Sequence, residues 1–286
     1  MNTIKILGKD VKDKEDGNLK SGFVDFSYFV KKGHDVCGDS AFVYHDEKKA
    51  IIAVFDGVSG VDGAEQASSI AAVFILNYLK NMSSPNKDDL QEALVNAHAN
   101  IVYGFTTALI VVIMKDGKFI AGSVGDSALY SYGKGKLQLE LAPLRLVGEG
   151  MDFFRYMMGR NIVPNALGMP SDMEILFRDG ALEKGDILLL VTDGIVDNLK
   201  ILTKENLVTD CSGINDLLAI IETETDVDKI VKRITDCIFL RWENKNVPLV
   251  LGEKITIKTD DLDIVGIQFG HLSKVRRLSK KKGKHL

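Results

Sequence analysis

The sequence predicts an α+β sandwich in one domain. Three observations lead there: eight strand-like runs punctuated by Gly or Asp, two amphipathic helical stretches in the first half, and a helical region before the last strand. At 286 residues and 45% hydrophobic content, the chain is long enough to bury a substantial core. One domain is expected over 1–272, with a flexible basic tail at 273–286.

Strands are expected first at 22–30, 40–44 and 50–55, the last a continuous apolar run. A glycine-bearing loop leads into a helix over 64–80, with Ala67, Ile70, Ala71, Phe74 and Tyr78 on one face. The second helix has a readable start, with Ser84 as N-cap, Pro85 in the first turn, and Asp88 and Asp89 near the positive end of the dipole. Its apolar residues, Leu90, Ala93, Leu94, Ala97 and Ile101, recur at three and four and define a core-facing stripe. Strands follow at 107–114 and 118–124, joined by KDG at 115–117, and at 128–131, where the glycines of YGKGK suit a second hairpin. After a strand at 187–191, the stretch 203–242 reads as helical, with Leu217, Leu218 and Ile221, then Ile230, Ile234 and Ile238. A last strand is expected at 264–269.

Charge narrows the function. The tail after 272 carries seven Lys or Arg and no acid, so a chain of net charge -4 has a body of about -11, a poor nucleic-acid surface. No apolar run approaches the roughly 18 to 20 residues needed to span a bilayer, and the first residues lack an apolar signal-type region. Cys37, Cys211 and Cys237 are widely separated and lack CxxC spacing, which fits reduced structural thiols. The expected setting is cytoplasmic, without nucleic-acid or membrane partners.

Four aspartates recur at strand ends beside glycine, a hydroxyl or a second acid: Asp56 in AVFDG, Asp126 in SVGDS, Asp193 in LLVTDG and Asp260 in KTDDLDIVG. One such motif alone reads as a turn. Four together place ionised acids near the core, which is costly unless they are paired or bound to a cation. Basic partners are not obvious in these motifs, so metal is the economical expectation. Hard oxygen ligands without a matched His and Cys set select Mg²⁺ or Mn²⁺. Two such ions about 4 Å apart can share a water, lower its pKa and present hydroxide to a phosphorus. Asp197, four residues after Asp193, would lie one turn on along a helix starting there, or serve as a cap or surface acid.

In content and order these motifs resemble the PP2C family of metal-dependent protein phosphatases. CGDS at 37–40, FDG at 55–57, GFTTA at 104–108, VGDS at 124–127, TDGIVD at 192–197 and TDDLDIV at 259–265 follow the family's sequence of motifs. The resemblance spans roughly 22–270. It implies a four-layer αββα sandwich, two antiparallel sheets flanked by helices with a dinuclear site at one end, and hydrolysis of phosphoserine and phosphothreonine on a phosphorylated protein substrate. By the same carry-over Asp56 would bridge two ions, Gly57 would offer its carbonyl, and Asp193 and Asp260 would hold one ion. Asp39 would act through metal-bound water, and Asp126, with Asp193 and Asp197, would form a weaker third-metal site.

The departures point to the GD-type bacterial branch that includes SpoIIE and RsbU. His34 stands where eukaryotic members carry a phosphate-gripping Arg, Val58 where they carry a His, and Gly38 where a Glu precedes the first acid. His34 is a candidate for contact with substrate phosphate or for proton transfer. The segment 143–170, with Met151, Phe153, Phe154, Tyr156, Met157 and Met158, falls where the family places its variable flap and reads as a packed helix or a docking surface. The leading alternative is a pseudophosphatase that binds or senses a phosphoprotein. A nuclease is disfavoured by the acidic body.

Overall fold

The computed structural model describes residues 2–243, 252–255 and 257–270. The basic tail expected at 273–286 lies outside the described residues. Strands β1 (Asn2–Ile6), β2 (Lys14–Lys20), β3 (Val24–Lys31), β4 (Ser40–His45) and β5 (Lys49–Phe55) precede helices α1 (Ala64–Leu79) and α2 (Lys87–Asn100). Then come β6 (Ala108–Met114), β7 (Lys118–Val124), β8 (Ala128–Gly133), β9 (Lys136–Leu141), α3 (Phe153–Gly159), β10 (Leu176–Ala181), β11 (Ile187–Val191) and the one-turn α4 (Asp193–Val196). The chain continues through β12 (Lys200–Lys204), β13 (Leu207–Asp210), α5 (Ile214–Ile221), α6 (Val227–Glu243), β14 (Glu253–Ile255) and β15 (Leu262–Phe269).

The strands form two six-stranded antiparallel sheets, ordered β1-β4-β5-β6-β7-β10 and β2-β3-β15-β11-β8-β9, and a small sheet β13-β12-β14. Period-two alternation explains why the central strands are apolar on both faces. Ala50, Ile52 and Val54 of β5 meet Leu188, Leu190, Val265 and Ile267 of the second sheet in the central core. Ile51, Ala53 and Phe55 point the other way and pack under α1 and α2. On the far side, Ile187, Leu189, Leu262 and Ile264 are covered by Ile230, Ile234 and Ile238 of α6 and Leu217 of α5. Two sheets with helices outside make the expected four-layer sandwich. Each fully buried Ile or Val contributes about 1.5–3 kcal/mol through the apolar surface it removes from water.

Several local readings are corrected. The α2 N-cap is Asn86 rather than Ser84: its Oδ1 accepts from the Asp88 and Asp89 N–H groups, and Asp89 Oδ2 accepts from the Asn86 N–H. On α1 the fully buried stripe is Ala67, Ala71 and Ile75, while Ile70 is 39% exposed and Phe74 and Tyr78 sit at the rim. Small residues let the helix lie close over Phe42 and Phe55. The stretch expected to be helical from 203 begins with the β12–β13 hairpin, whose turn residues Glu205 and Asn206 have φ of 50° and 67°. Helix resumes only at Ile214.

Register brings the motifs to one end of the sandwich. In the first sheet Ser40 pairs with Phe55, Val54 with Leu109, and Ala108 with Val124. In the second, Val191 pairs with both Ala128 and Ile264. The chain crosses between sheets from β7 to β8 at Gly125, whose φ of 101° and closeness to Thr107 leave no room for a side chain.

Candidate active site

Asp39, Asp56, Asp126, Asp193 and Asp260 all flank these strand ends, and the fold gathers them. Asp56 is held through its backbone by the GFTTA motif: its N–H donates to Thr107 Oγ1 (3.2 Å), and its carbonyl accepts from Thr107 N–H (2.7 Å) and Thr106 Oγ1 (2.9 Å). Its carboxyl is hydrogen-bonded to Asp193. Burial pushes Asp56 well above the usual carboxylate range, and the acids Asp193, Asp39, Asp126 and Asp260 push it further.

Asp39 is buried, and its Oδ2 accepts from Thr192 Oγ1 at 3.0 Å. Burial, then Asp261 and Asp263, raise it well above the carboxylate range. Asp126 is also buried. Among the described residues neither of its oxygens has a hydrogen-bond partner, and Arg145 Nε lies 3.6 Å from Oδ2. Burial pushes it up to about 7 despite that guanidinium.

Asp193 opens α4 and Asp197 caps its end, so one turn does set both on one face. Arg145 Nη1 lies 2.5 Å from Asp197 Oδ1, and Arg160 Nη1 donates to the Asp197 carbonyl at 3.1 Å. Lys258 Nζ pairs with Asp193 Oδ2, lies 2.6 Å from Asp260 Oδ2 and 3.6 Å from Asp197 Oδ2. Burial raises Asp193, but the Lys258 ammonium and the Arg145 guanidinium outweigh it and hold its carboxyl below the usual range. Asp260 and Asp197 are raised, chiefly by burial.

The cations correct the expectation that these acids lack basic partners. Lys258 lies two residues before Asp260 inside a quoted motif, so its proximity was readable. Arg145 carries no local signal. It and Arg160 flank α3 in the segment 143–170, where Tyr156 packs on Ile201 and Val208 while Phe154 and Met158 are 69% and 68% exposed. That segment is a short helix with one packed face.

His34 is half exposed, with Nε2 3.1 Å from Asp260 Oδ1. It lines a cleft of about 240 Å³ with Val36, Gly38, Gly57, Val61 and Asp261. A larger groove of about 850 Å³ along the outer face of α1 is lined by none of the aspartates, whereas the small cleft borders the cluster through Gly57, next to Asp56, and Asp261, next to Asp260. Gly38 has a physical reason: its N–H donates to Asp261 Oδ2 (2.5 Å), and a Cβ there would press on the Gly57 carbonyl at 3.1 Å. Asp261, absent from the predicted set, also accepts from Gly33 N–H at 2.6 Å and so clamps the loop carrying His34. Asp263, likewise unforeseen, is fully buried, its backbone bonded to Thr192 while its carboxyl oxygens have no hydrogen-bond partner among the described residues.

Six clustered carboxylates, Asp39, Asp56, Asp126, Asp193, Asp197 and Asp260, thus face two permanent cations, Lys258 and Arg145. The donor set is all hard oxygen, its acids outnumber these cations, and Asp126 meets Arg145 without a hydrogen bond to either oxygen among the described residues. That chemistry fits a divalent cation. As they stand, no three His, Cys, Asp or Glu side chains among the described residues converge on one ion position. Lys258 lies between Asp193 and Asp260.

The family description "Protein phosphatase 2C" matches residues 31–211, more than half of the sequence. The chain belongs to the protein phosphatase 2C family. Membership makes it a serine/threonine protein phosphatase by class. The matched span includes His34, Asp39, Asp56, Gly57, Asp126, Asp193 and Asp197, while Lys258 and Asp260 lie beyond it. Among solved structures, the fold is similar to RsbX in complex with magnesium, at 17% identity and a TM-score of 0.60, over 90% of this chain and 100% of that one. It is similar to the photosystem II phosphatase PBCP, at 20% identity and 0.62, over 86% and 98%. It also matches the PPM Ser-Thr phosphatase MsPP from Mycobacterium smegmatis in complex with cacodylate, at 18% and 0.61, over 86% and 98%. At such identities the likeness is one of fold. No curated protein sequence matches the chain.

Proposed function

We infer that this protein phosphatase 2C member hydrolyses phosphoserine and phosphothreonine on proteins with the aid of two divalent cations, Mn²⁺ or Mg²⁺. The observation that carries the reading is Asp56, a buried carboxyl raised by four neighbouring acids at the meeting point of both sheets. Hard oxygens that outnumber their counter-charges are the donor chemistry that a divalent cation would suit. Asp56, Asp193, Asp260 and the Gly57 carbonyl would hold the pair, and Asp126 with Asp197 a weaker third ion. Bound there, the cations would lower the pKa of water and offset charge on the phosphoryl oxygens.

The chain's own residues do the rest. Asp39, held by Thr192, would orient water beside the cations. His34, anchored on Asp260 and lining the cleft, would contact the phosphate or protonate the leaving group. A phosphorylated loop of a partner protein fits a shallow cleft of this size. With no helix among the described residues long and apolar enough to cross a membrane and three free thiols, a cytoplasmic phosphoprotein is the substrate we favour.

The test is phosphate release from a phosphothreonine peptide, with and without Mn²⁺, in the wild type and Asp193→Asn. Metal-dependent turnover that the substitution abolishes supports the reading. A folded protein that turns over no substrate under either cation would instead be a phosphoprotein-binding module, the alternative that the ion pairs of Lys258 favour.

A further inference from the structure

Lys258 is held as a built part of the site. The side chain of Asn198, itself fully buried, fixes its backbone: Oδ1 accepts from Lys258 N–H at 3.1 Å and Nδ2 donates to the Lys258 carbonyl at 2.9 Å. Asn198 is in turn locked by Trp242 Nε1, which donates to Oδ1 at 3.1 Å, and by Arg241 Nη1, which donates to its carbonyl at 2.6 Å. From this anchorage the Lys258 side chain, 18% exposed, reaches inward to Asp193, Asp260 and Asp197. Each of its three acid neighbours is a residue assigned above to a cation.

An ammonium and a divalent ion ask for the same thing, a ring of carboxylate oxygens at close range. They cannot both occupy the position between Asp193 Oδ2 and Asp260 Oδ2, where the ammonium now sits. A lysine carries one charge on a flexible four-carbon stem and can swing away, whereas the aspartates are fixed by strand ends. We propose that Lys258 is a tethered counter-cation that occupies the Asp193 and Asp260 oxygens, so that a divalent ion binds there only by displacing it. The inference rests on the dinuclear reading above and makes Lys258 a specificity-determining residue for it. The Asp193 and Asp260 pair is then partly neutralised at rest by the chain's own side chain, and the cation concentration sets how much of it is opened.

Two measurements test this without reference to turnover. Mn²⁺ binding by titration calorimetry is expected to be about tenfold tighter in Lys258→Met than in the wild type, because the competing state is removed. In the wild type, limited acetylation by acetic anhydride, read by peptide mass spectrometry, is expected to label Lys258 about threefold more at saturating Mn²⁺, since displacement frees the amine. The second measurement stands if the variant fails to fold. Equal Mn²⁺ affinity in both proteins, or Lys258 labelling unchanged while Mn²⁺ binds, would overturn the displacement and leave the dinuclear site intact. Absence of Mn²⁺ binding to wild type and folded variant alike would overturn both.

Discussion

Asn198 grips Lys258 from both sides, accepting from its backbone N–H at 3.1 Å and donating to its carbonyl at 2.9 Å across sixty residues of sequence. The same amide donates to the Gly194 carbonyl at 2.7 Å, so one buried side chain joins α4, α6 and the approach to β15.

Replacing Asn198 by Ala would strand the Lys258 N–H, the Trp242 indole N–H and two carbonyls in a buried space. Unpartnered buried polar groups cost about 1–3 kcal/mol each, partly relieved by water. The expected loss is about 2–4 kcal/mol of unfolding free energy by urea titration, and a loss below that of a surface Asn→Ala control would show that the hub carries no stability.

Thr107 ties Asp56 to β6, and Ser127 lies 3.1 Å from its hydroxyl. Thr107→Val keeps the shape and removes the acceptor for the Asp56 N–H. The expected result is a stability loss of about 1 kcal/mol together with a fall of about tenfold in kcat, because the residue proposed to hold the cations would lose its positioning. A kcat equal to wild type would mean the strand alone positions Asp56.

Acid titration gives the third prediction. Asp39, Asp56, Asp126, Asp197, Asp260 and Asp263 all have raised carboxyls, with Asp126 at about 7, while Asp193 is lowered. A raised acid is protonated in the folded state when the unfolded chain has already released its proton. The folded form then binds more protons, and stability falls as pH rises from about 4 through about 7. The lowered Asp193 works in the opposite sense and is outnumbered. In EDTA, Tm should therefore be higher near about pH 5 than near about pH 7.5, with Mn²⁺ reversing the order. A metal-free Tm that rises over that interval would contradict the buried acid cluster.

Much of this was legible in sequence because it is local. The unbroken apolar runs AIIAVF and ILLLV mark strands buried on both faces, and an acid closing such a strand is visible without any structure. The readings that failed were those in which a neighbour decides. Ser84 and Asn86 are both good caps, and only the reciprocal bond from Asp89 selects Asn86. Ile70 and Phe74 share a face with Ala67 by spacing, yet the closer approach of a helix on its alanine side turns them outward.

From the sequence alone came the central strands and the helices that cover them, the α+β sandwich and the identity of the acids at its strand ends. Tertiary structure decided what stands opposite those acids. Arg145 reaches Asp197 and Asp126 from the flap segment, and Lys258 reaches Asp193 from far along the chain. The physical reason is that burial follows a short local period, whereas the partner of a buried charge depends on which distant strand ends the sheet registers bring together. Electrostatic energy falls off with distance in space rather than along the chain.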